Sequence, residues 1–273
     1  MRATVVVPTK NRPDALDRCL AALAAQDLDQ LEVVVVDDAS TDPNAICAIA
    51  GARARVVSGA GRGPAAARNL GARSARAPMV LFTDDDCRPE PGWAAAAVAR
   101  LEAGAAVVAG PTVVDVAMGA PARAAQVVTN HLVEASMADG LVGFAPTSNL
   151  ACRADVLREL PFDEEYPLAA GEDRDWCDRL AASGRAIAYE PNAVVRHHPD
   201  LTLRRYWQQQ LRYGRGAHRF KASGKRQRPP IAFYVDLLGK GFRQGPVIGA
   251  LVCLAQVATL AGVVAEAWST RRR

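Results

Sequence analysis

The sequence predicts an α/β fold in which a mostly parallel central sheet is flanked by helices and followed by a basic and apolar helical C-terminal tail. Short apolar runs alternate with helical patterns through the first two hundred residues, which is typical of a parallel sheet with covering helices. The charge also changes sign along the chain. Residues 1–195 contain 18 Lys and Arg against 26 Asp and Glu, whereas residues 196–273 contain 15 against 3. An acidic domain therefore precedes a strongly basic tail.

A first βαβ unit is predicted within residues 3–38. Residues 3–7 form a β-branched run that ends at Pro8, residues 14–25 show the periodicity of an amphipathic helix, and residues 31–36 are a second apolar run. In open α/β sheets, ligands bind beyond the carboxyl ends of such strands. Polar side chains follow both strand ends: Thr9, Asn11 and Arg12 after the first, and Asp37 and Asp38 after the second.

Two well-known phosphate-binding motifs are absent from the first part of the chain. A dinucleotide-binding fold needs G-x-G-x-x-G after its first strand, where residues 9–12 contain no glycine. Residues 59–63 are rich in glycine but lack the Lys-Ser/Thr pair of a P-loop. A receiver domain would be much shorter than this chain and would place its acidic pair after the first strand.

The most acidic strand end is at Asp84, Asp85 and Asp86, directly after a short apolar strand predicted at residues 80–83. Three adjacent carboxylates repel one another unless a cation or a donor-rich ligand compensates them. Carboxylate oxygens beside a phosphate suit Mg²⁺ or Mn²⁺. The alternative is a solvated acidic turn.

Two further charged groups are candidates for a site. Arg68 lies in the first two turns of a helix predicted at residues 64–72, near the carboxyl edge of the sheet; the alternative is a solvated helix arginine. Glu172 and Asp173 lie at the predicted start of another helix, a position that the helix dipole also favours for carboxylates without any catalytic role.

The order of these motifs resembles glycosyltransferase family 2, whose members have the GT-A fold, a nucleotide-diphosphate-sugar-binding α/β domain. Each motif is weak alone, but four in the same order over about eighty residues are specific. The matching segments are residues 7–12, 36–42, 67–69 and 82–86.

The resemblance implies a donor site and a metal site. Asp84 and Asp86 match the ends of the family's DXD element, so the resemblance implies that they hold Mg²⁺ or Mn²⁺, with His197 as a further candidate ligand. Asp85 between them is expected to be a solvated bystander. The implied nucleotide-sugar-binding residues are Pro8, Thr9, Asn11, Arg12, Asp37, Asp38, Arg68, Asp84 and Asp85.

The resemblance also implies the chemistry. Asp173 corresponds to the family's general base, which removes the proton of the acceptor hydroxyl, and Glu172 is its neighbour that orients the acceptor. Ser148 and Asn149 lie in a loop that lines the sugar and acceptor site in the family. The implied reaction is direct displacement with inversion, through a transition state like that of glycoside hydrolysis.

The structure and the partner of the tail, residues 201–273, are predicted from its composition. Residues 202–221 are predicted to form a helix with aromatic and apolar side chains on one side and arginines on the other, which suits a membrane surface or RNA. No nucleic-acid motif accompanies it, so an anionic membrane is the predicted partner and nucleic acid is not. A basic linker at residues 224–230 leads to a charge-free run, residues 246–265, long enough to cross a bilayer of about 30 Å. A helix buried against the domain or in an oligomer interface is the alternative.

Together these features predict a catalytic domain at residues 1–200, with a nucleotide-sugar half at about 1–110 and an acceptor half at about 111–200, followed by a membrane-associated tail at residues 201–273. The predicted activity is transfer of a sugar from a UDP-, GDP- or dTDP-linked donor to the hydroxyl group of an acceptor. Lipid-linked and cell-envelope glycans are among the predicted acceptors. The predicted location is the cytoplasm, at the inner face of the cell membrane. A sugar-nucleotidyltransferase and an inactive sugar-nucleotide-binding protein are the alternatives, and the oligomeric state stays open.

Overall fold

A computed structural model describes residues 1–166, 170–222 and 229–270. Strands and helices alternate through the first half of the chain, and the predicted α/β class is confirmed. The strands are β1 (Ala3–Thr9), β2 (Leu31–Asp37), β3 (Arg55–Ser58), β4 (Met79–Phe82), β5 (Cys87–Pro89), β6 (Val107–Ala109), β7 (Thr112–Val114), β8 (Met137–Ala138), β9 (Leu141–Val142), β10 (Leu150–Arg153), β11 (Ile187–Tyr189) and β12 (Val195–His197). The helices are α1 (Pro13–Ala24), α2 (Pro43–Ala50), α3 (Pro64–Ser74), α4 (Trp93–Glu102), α5 (Ala120–Glu134), α6 (Ala154–Glu159), α7 (Glu172–Ala182), α8 (Leu203–Ala222), α9 (Ile231–Arg243) and α10 (Pro246–Thr270).

The central sheet is mixed, with the strand order β3-β2-β1-β4-β10-β6-β11-β9-β8. The first four strands in this order are parallel, while β10 runs antiparallel to both β4 and β6. A smaller sheet has the order β5-β12-β7. Since β1, β2 and β4 are parallel neighbours, their carboxyl ends meet at one edge, and the polar residues that follow them are brought together.

Both faces of the sheet are covered, which explains why its strands are apolar along their whole length rather than alternating. On one face α1 and α4 pack over Val5, Val7 and Leu81, and on the other α3 and α7 pack over Val6 and Phe82. The close approach of α3 depends on a glycine, because a Cβ at Gly71 would lie 2.2 Å from the side chain of Val6.

Three elements of the fold are not among those predicted above. Residues 117–140 contain the fifteen-residue helix α5. Strand β12 follows β11 and completes the smaller sheet. The helix α2 was missed; it begins after Asp42, whose carboxylate accepts a hydrogen bond from the Ala45 amide.

The C-terminal helices α8 and α10 pack against each other at backbone distance. A Cβ at Gly214 would lie 2.0 Å from the Thr259 carbonyl oxygen, and one at Gly262 would lie 2.1 Å from that of Leu211. The Arg219 guanidinium also pairs with the Glu266 carboxylate at 2.8 Å. The charge-free run predicted at residues 246–265 is therefore a helix with one face held by protein.

Within the described residues, α10 is long and apolar enough to cross a membrane, with a mean hydropathy of 2.3 over its most apolar stretch. Its outward face exposes Val257, Leu260 and Val264 to solvent. The basic linker predicted at residues 224–230 lies largely outside the described residues, as do the terminal arginines 271–273. The division of the chain near residue 200 stays a prediction.

Candidate active site

The strand ends of β1 and β4 form a polar cluster at the carboxyl edge of the sheet. Thr9, the last residue of β1, lies opposite Asp37 of β2, and its hydroxyl donates to Asp85 Oδ2 at 2.8 Å. Arg12 pairs with the Asp85 carboxylate at 2.8 Å and with the Asp86 carboxylate at 2.6 Å. The loop after the first strand is therefore tied to the acidic segment that sequence reasoning placed beside it.

Asp85 corrects one expectation. It was predicted to be a solvated bystander, but it is 3 % exposed and holds Thr9 and Arg12. Burial raises the pKa of Asp85 to about 7, although the positive charge of Arg12 opposes the change. Burial alone lowers the pKa of Arg12, but the two carboxylates outweigh it and raise that pKa above its ordinary value. Asp85 thus holds the loop that follows β1, through its contacts with Thr9 and Arg12.

Asp86 faces His197, which β12 brings next to the acidic segment. The two strands β5 and β12 are antiparallel with His197 opposite Cys87, so that His197 Nε2 lies 3.5 Å from Asp86 Oδ1. Burial raises the pKa of Asp86, but His197 and Arg12 outweigh it and hold that pKa well below its usual range. Asp86 is therefore a carboxylate at neutral pH.

The tautomer of His197 is set by Gln126 on α5. The amide nitrogen of Gln126 donates to the Thr112 carbonyl oxygen at 3.1 Å, and a carbonyl can only accept. Its amide oxygen must then face His197 Nδ1, at 3.1 Å, which makes Nδ1 the donor. The Nε2 atom therefore faces the Asp86 carboxylate. Burial lowers the pKa of His197, but the charge of Asp86 and its hydrogen bond outweigh burial and raise that pKa.

These groups fit a divalent cation. Ligand atoms of Asp86, Cys87 and His197 lie within 4.8 Å of one another. Burial raises the pKa of the Cys87 thiol well above its ordinary value, so it is a neutral thiol and a poor ligand. Carboxylate and imidazole suit Mn²⁺ or Mg²⁺ with few protein ligands, which leaves coordination positions for phosphate oxygens and water.

Arg68 connects the acidic strand end to the second acidic centre. Its Nη2 lies 2.9 Å from Asp84 Oδ1, and its Nη1 lies 3.1 Å from Glu172 Oε1, a residue 104 positions later in the chain. Arg68 and Glu172 are both nearly inaccessible to solvent, whereas the Asp84 side chain is 31 % exposed. One guanidinium thus holds the two acidic segments at a fixed separation.

Glu172 and Asp173 are the first residues of α7. Burial raises the pKa of Glu172 to about 7, with the Asp173 charge adding to the shift and Arg68 opposing it. Burial also raises the pKa of Asp173, with Arg174 opposing the change. One Glu172 oxygen, Oε2, is buried without a hydrogen-bond partner among the described residues. The pair is therefore more basic than ordinary carboxylates, which suits proton abstraction.

Several of the predicted nucleotide-binding residues lie at the ends of β1 and β2, in the same polar cluster. Asp37 Oδ1 accepts from the Ser40 amide at 3.0 Å, and Asp38 Oδ2 accepts from the Gly63 amide at 2.9 Å. Asn11, at a φ of 57°, receives two hydrogen bonds from Thr41 on its amide oxygen. Pro8 lies beside them in β1, opposite Val36 of β2. These contacts order the loops around the first two strand ends.

The acceptor prediction needs a correction at Asn149. Its side chain is 2 % exposed; it accepts from Trp93 Nε1 at 2.8 Å and donates to the carbonyls of Pro111 and Ala193. Asn149 therefore supports the sheet from a buried position that is not open to a sugar. Ser148 beside it is half-buried and keeps its predicted role as a proposal.

Sequence reasoning missed two residues of this site. Gln126 lies on α5, a helix that the sequence did not reveal, so no local signal identified it. Gly216 on α8 packs against the loop before α7, where a Cβ would lie 2.2 Å from the Ala170 carbonyl oxygen. A glycine between Arg215 and Ala217 in an otherwise helical pattern was the available signal.

The chain is similar to known proteins in sequence and in fold. Residues 4–160, more than half of the chain, match glycosyl transferase family 2. The chain is 29 % identical over 224 residues to the pre-mycofactocin glycosyltransferase of Mycobacterium tuberculosis; the match covers 78 % of this chain and 46 % of that protein, so the chain spans about half the length of this relative.

Two solved structures share the fold. The mannosyltransferase PcManGT of Pyrobaculum calidifontis, in complex with GDP-Man and Mn²⁺, has a TM-score of 0.69 at 20 % identity, with 98 % of this chain and 87 % of that one covered. TarS of S. aureus, in complex with UDP-GlcNAc, has a TM-score of 0.58 at 18 % identity, with 100 % and 92 % covered. The ordered motifs, the GT-A-like sheet and the family match agree, and the chain belongs to glycosyl transferase family 2.

Proposed function

We propose that this protein is a glycosyltransferase that moves a sugar from a nucleotide-diphosphate-sugar to an acceptor hydroxyl with inversion. The observation that carries the proposal is the Arg68 bridge between Asp84 and Glu172. It holds the acidic segment suited to a donor diphosphate beside a pair of unusually basic carboxylates. Family membership supports the reaction class, and the arrangement supports the assignment of roles.

The donor nucleotide is proposed to lie across the ends of β1 and β2. Pro8, Thr9 and Asn11 would border the base and ribose, and Asp37 or Asp38 would accept from their N–H or hydroxyl groups. The structural neighbours PcManGT and TarS were solved with GDP-Man and with UDP-GlcNAc. A UDP-, GDP- or dTDP-linked sugar is therefore the proposed donor class.

Asp86, His197 and the partly exposed Asp84 are proposed to hold Mg²⁺ or Mn²⁺. A bound divalent cation would stabilise the negative charge on the departing diphosphate. The Mn²⁺ in the PcManGT structure supports this assignment. Arg12 and Gln126 fix the ligands, because Arg12 orients the Asp86 carboxylate and Gln126 turns His197 Nε2 toward it.

Asp173 is proposed as the general base. A sugar hydroxyl is a poor nucleophile at neutral pH, so a positioned carboxylate must take its proton as the new bond forms. The acceptor oxygen then attacks the anomeric carbon on the face opposite the diphosphate, which inverts the configuration. Glu172, next to Asp173 at the start of α7, is proposed to orient the acceptor.

The C-terminal helices are proposed to hold the catalytic domain at the inner face of the cell membrane, in the cytoplasm, where lipid-linked acceptors of cell-envelope glycans lie. Support comes from the exposed apolar face of α10 and the arginines on α8. Because the other face of α10 packs closely on α8, we propose that it lies along the membrane surface.

Activity is expected to fall in mild acid. The base must be deprotonated, and burial raises the pKa of Asp173 above its ordinary 3.8 and that of Glu172 to about 7. As the pH falls through the raised pKa of Asp173 the base is protonated, so kcat/KM should drop by about tenfold per pH unit below that pKa. A kcat/KM profile from pH 9 down to pH 4 tests this; a value of kcat/KM that stays constant down to pH 4 would contradict it.

The experiment that tests the function is nucleoside diphosphate release from a panel of UDP-, GDP- and dTDP-sugars, with Mn²⁺ or Mg²⁺ and membrane lipid extract as the acceptor source. One donor should release its diphosphate and leave labelled sugar on an acceptor. Formation of a nucleoside triphosphate and a sugar 1-phosphate, only when pyrophosphate is added, would instead favour a sugar-nucleotidyltransferase. Binding without turnover of any donor would favour an inactive binding protein.

A further inference from the structure

A cavity of about 710 Å³ lies between helix α8 and the proposed metal site. Asp86 and His197 form its wall on the metal side, and Trp207, Arg212 and Arg215 line it from α8. Of the proposed nucleotide-binding residues Arg12 borders it, whereas Pro8, Asp37 and Asp38 do not. The cavity therefore adjoins the proposed site of the donor diphosphate and extends from it along α8.

The positive charge in this cavity is not all compensated by the protein. Arg12 is paired with Asp85 and Asp86, and Arg205 is paired with Asp200. Arg212 and Arg215 are exposed and have no carboxylate partner among the described residues. Since they are three positions apart on one helix, their guanidinium groups can converge on one anion.

We propose that Arg212 and Arg215 bind a phosphate group carried by the acceptor; this rests on the proposed function. Guanidinium groups match phosphate oxygens in geometry and charge, and two of them suit a phosphate ester. Trp207 and Leu211 give the same wall an apolar part, which favours an ester with an apolar group next to the phosphate. The acceptor class is then an amphiphilic phosphate ester.

The position of α8 favours the acceptor over the donor as the source of this phosphate. Gly216, next to Arg215, packs directly on Ala170, two residues before the acidic pair at the start of α7. The two arginines are therefore on the segment of α8 that contacts the loop leading to the proposed base. An acceptor must place its hydroxyl at Asp173, so its phosphate can reach this part of the helix.

The test is the affinity of the full-length protein for phenyl phosphate, measured by calorimetry with and without a saturating nucleoside diphosphate and Mg²⁺. The variant is R212Q/R215Q. The matched control is R204Q, because Arg204 is exposed on the same helix but does not line the cavity. Phenol, which lacks the phosphate, is the control ligand, and unchanged thermal unfolding verifies that the variants fold.

Phenyl phosphate is expected to bind the wild type and R204Q alike, also when the nucleotide site is filled, and phenol much more weakly. The double variant should lose at least about tenfold in affinity for phenyl phosphate, with unchanged nucleotide binding. Equal affinity in the double variant overturns the proposal. Loss of phenyl phosphate binding when the nucleotide is added also overturns it, and assigns the arginines to the donor diphosphate.

Failure of the proposed function gives a different result. If UDP, GDP and dTDP all fail to bind the wild type, the transferase proposal falls, whereas the measurement without nucleotide still reports on Arg212 and Arg215. If the double variant then loses phenyl phosphate binding, Arg212 and Arg215 form an anion site, but the assignment of that site to an acceptor is overturned.

Discussion

Replacing Asp173 with asparagine is expected to lower kcat for sugar transfer by about 10²–10⁴-fold. Asparagine keeps the size of the side chain but cannot accept the proton of the acceptor hydroxyl. The nucleotide and the metal are bound by other residues, so donor affinity should stay within about twofold of the wild type. Initial rates and donor affinity, measured on the same preparation, separate the two effects.

Asp178→Asn is the matched control, because Asp178 lies on the same helix about one and a half turns after Asp173. It should retain wild-type kcat. If Asp173→Asn keeps more than about a tenth of the wild-type kcat, Asp173 is not the general base. A parallel loss of donor affinity would instead place Asp173 in the donor site.

Replacing Arg68 with methionine is expected to lower the free energy of unfolding by about 3–5 kcal/mol at pH 8. Arg68 is 4 % exposed and is the cationic partner of Glu172, which is also buried. Its removal leaves that carboxylate without a counter-charge. Arg73→Met on the same helix is the control; its pair with Glu164 is exposed and 3.9 Å long, so a loss below about 1 kcal/mol is expected.

The loss in Arg68→Met should depend on pH in a defined direction. Arg68 lowers the pKa of Glu172, so in the variant that pKa rises further above about 7. The folded state then binds a proton more tightly than the unfolded state, whose glutamate titrates near 4.5. Because the unfolded state is the same in both proteins, the destabilisation should be constant below about pH 7 and grow above it, where Glu172 is ionised in the wild type but still protonated in the variant. Denaturant unfolding at pH 5 and pH 8 tests this, and a pH-independent loss would contradict it.

The strand ends of the first half could be predicted from the sequence because their signals are local. Apolar runs end directly at Asp37 and at Asp84, and parallel strands place their carboxyl ends at one edge of the sheet. The start of α7 at Glu172 was also predicted, since apolar residues at helical spacing follow it. These segments contain most of the proposed site.

The rest depends on contacts between residues far apart in the sequence. Asn149 appears as a polar loop residue, but Trp93, Pro111 and Ala193 together occupy its amide. His197 meets Asp86 because of the β5–β12 register, and no local pattern encodes a register between such short strands. The same reason hides Asp85, whose burial requires the loop of Arg12 to fold over it.

The membrane prediction shows the same limit. Composition identified an apolar segment of sufficient length, but it could not show that glycines let α10 pack on α8 at backbone distance. This packing occupies one face of the helix and leaves the other exposed.

The most direct test of the central claim, a metal-dependent nucleotide-sugar site at the strand ends, is the calorimetric affinity of the full-length protein for UDP, GDP and dTDP with and without Mn²⁺. One nucleotide should bind at least about tenfold more tightly with Mn²⁺. Asp86→Asn should lose this gain, and Asp29→Asn, an exposed acid outside the cluster, should keep it. If no nucleoside diphosphate binds the folded protein, or if Mn²⁺ makes no difference, the account is contradicted.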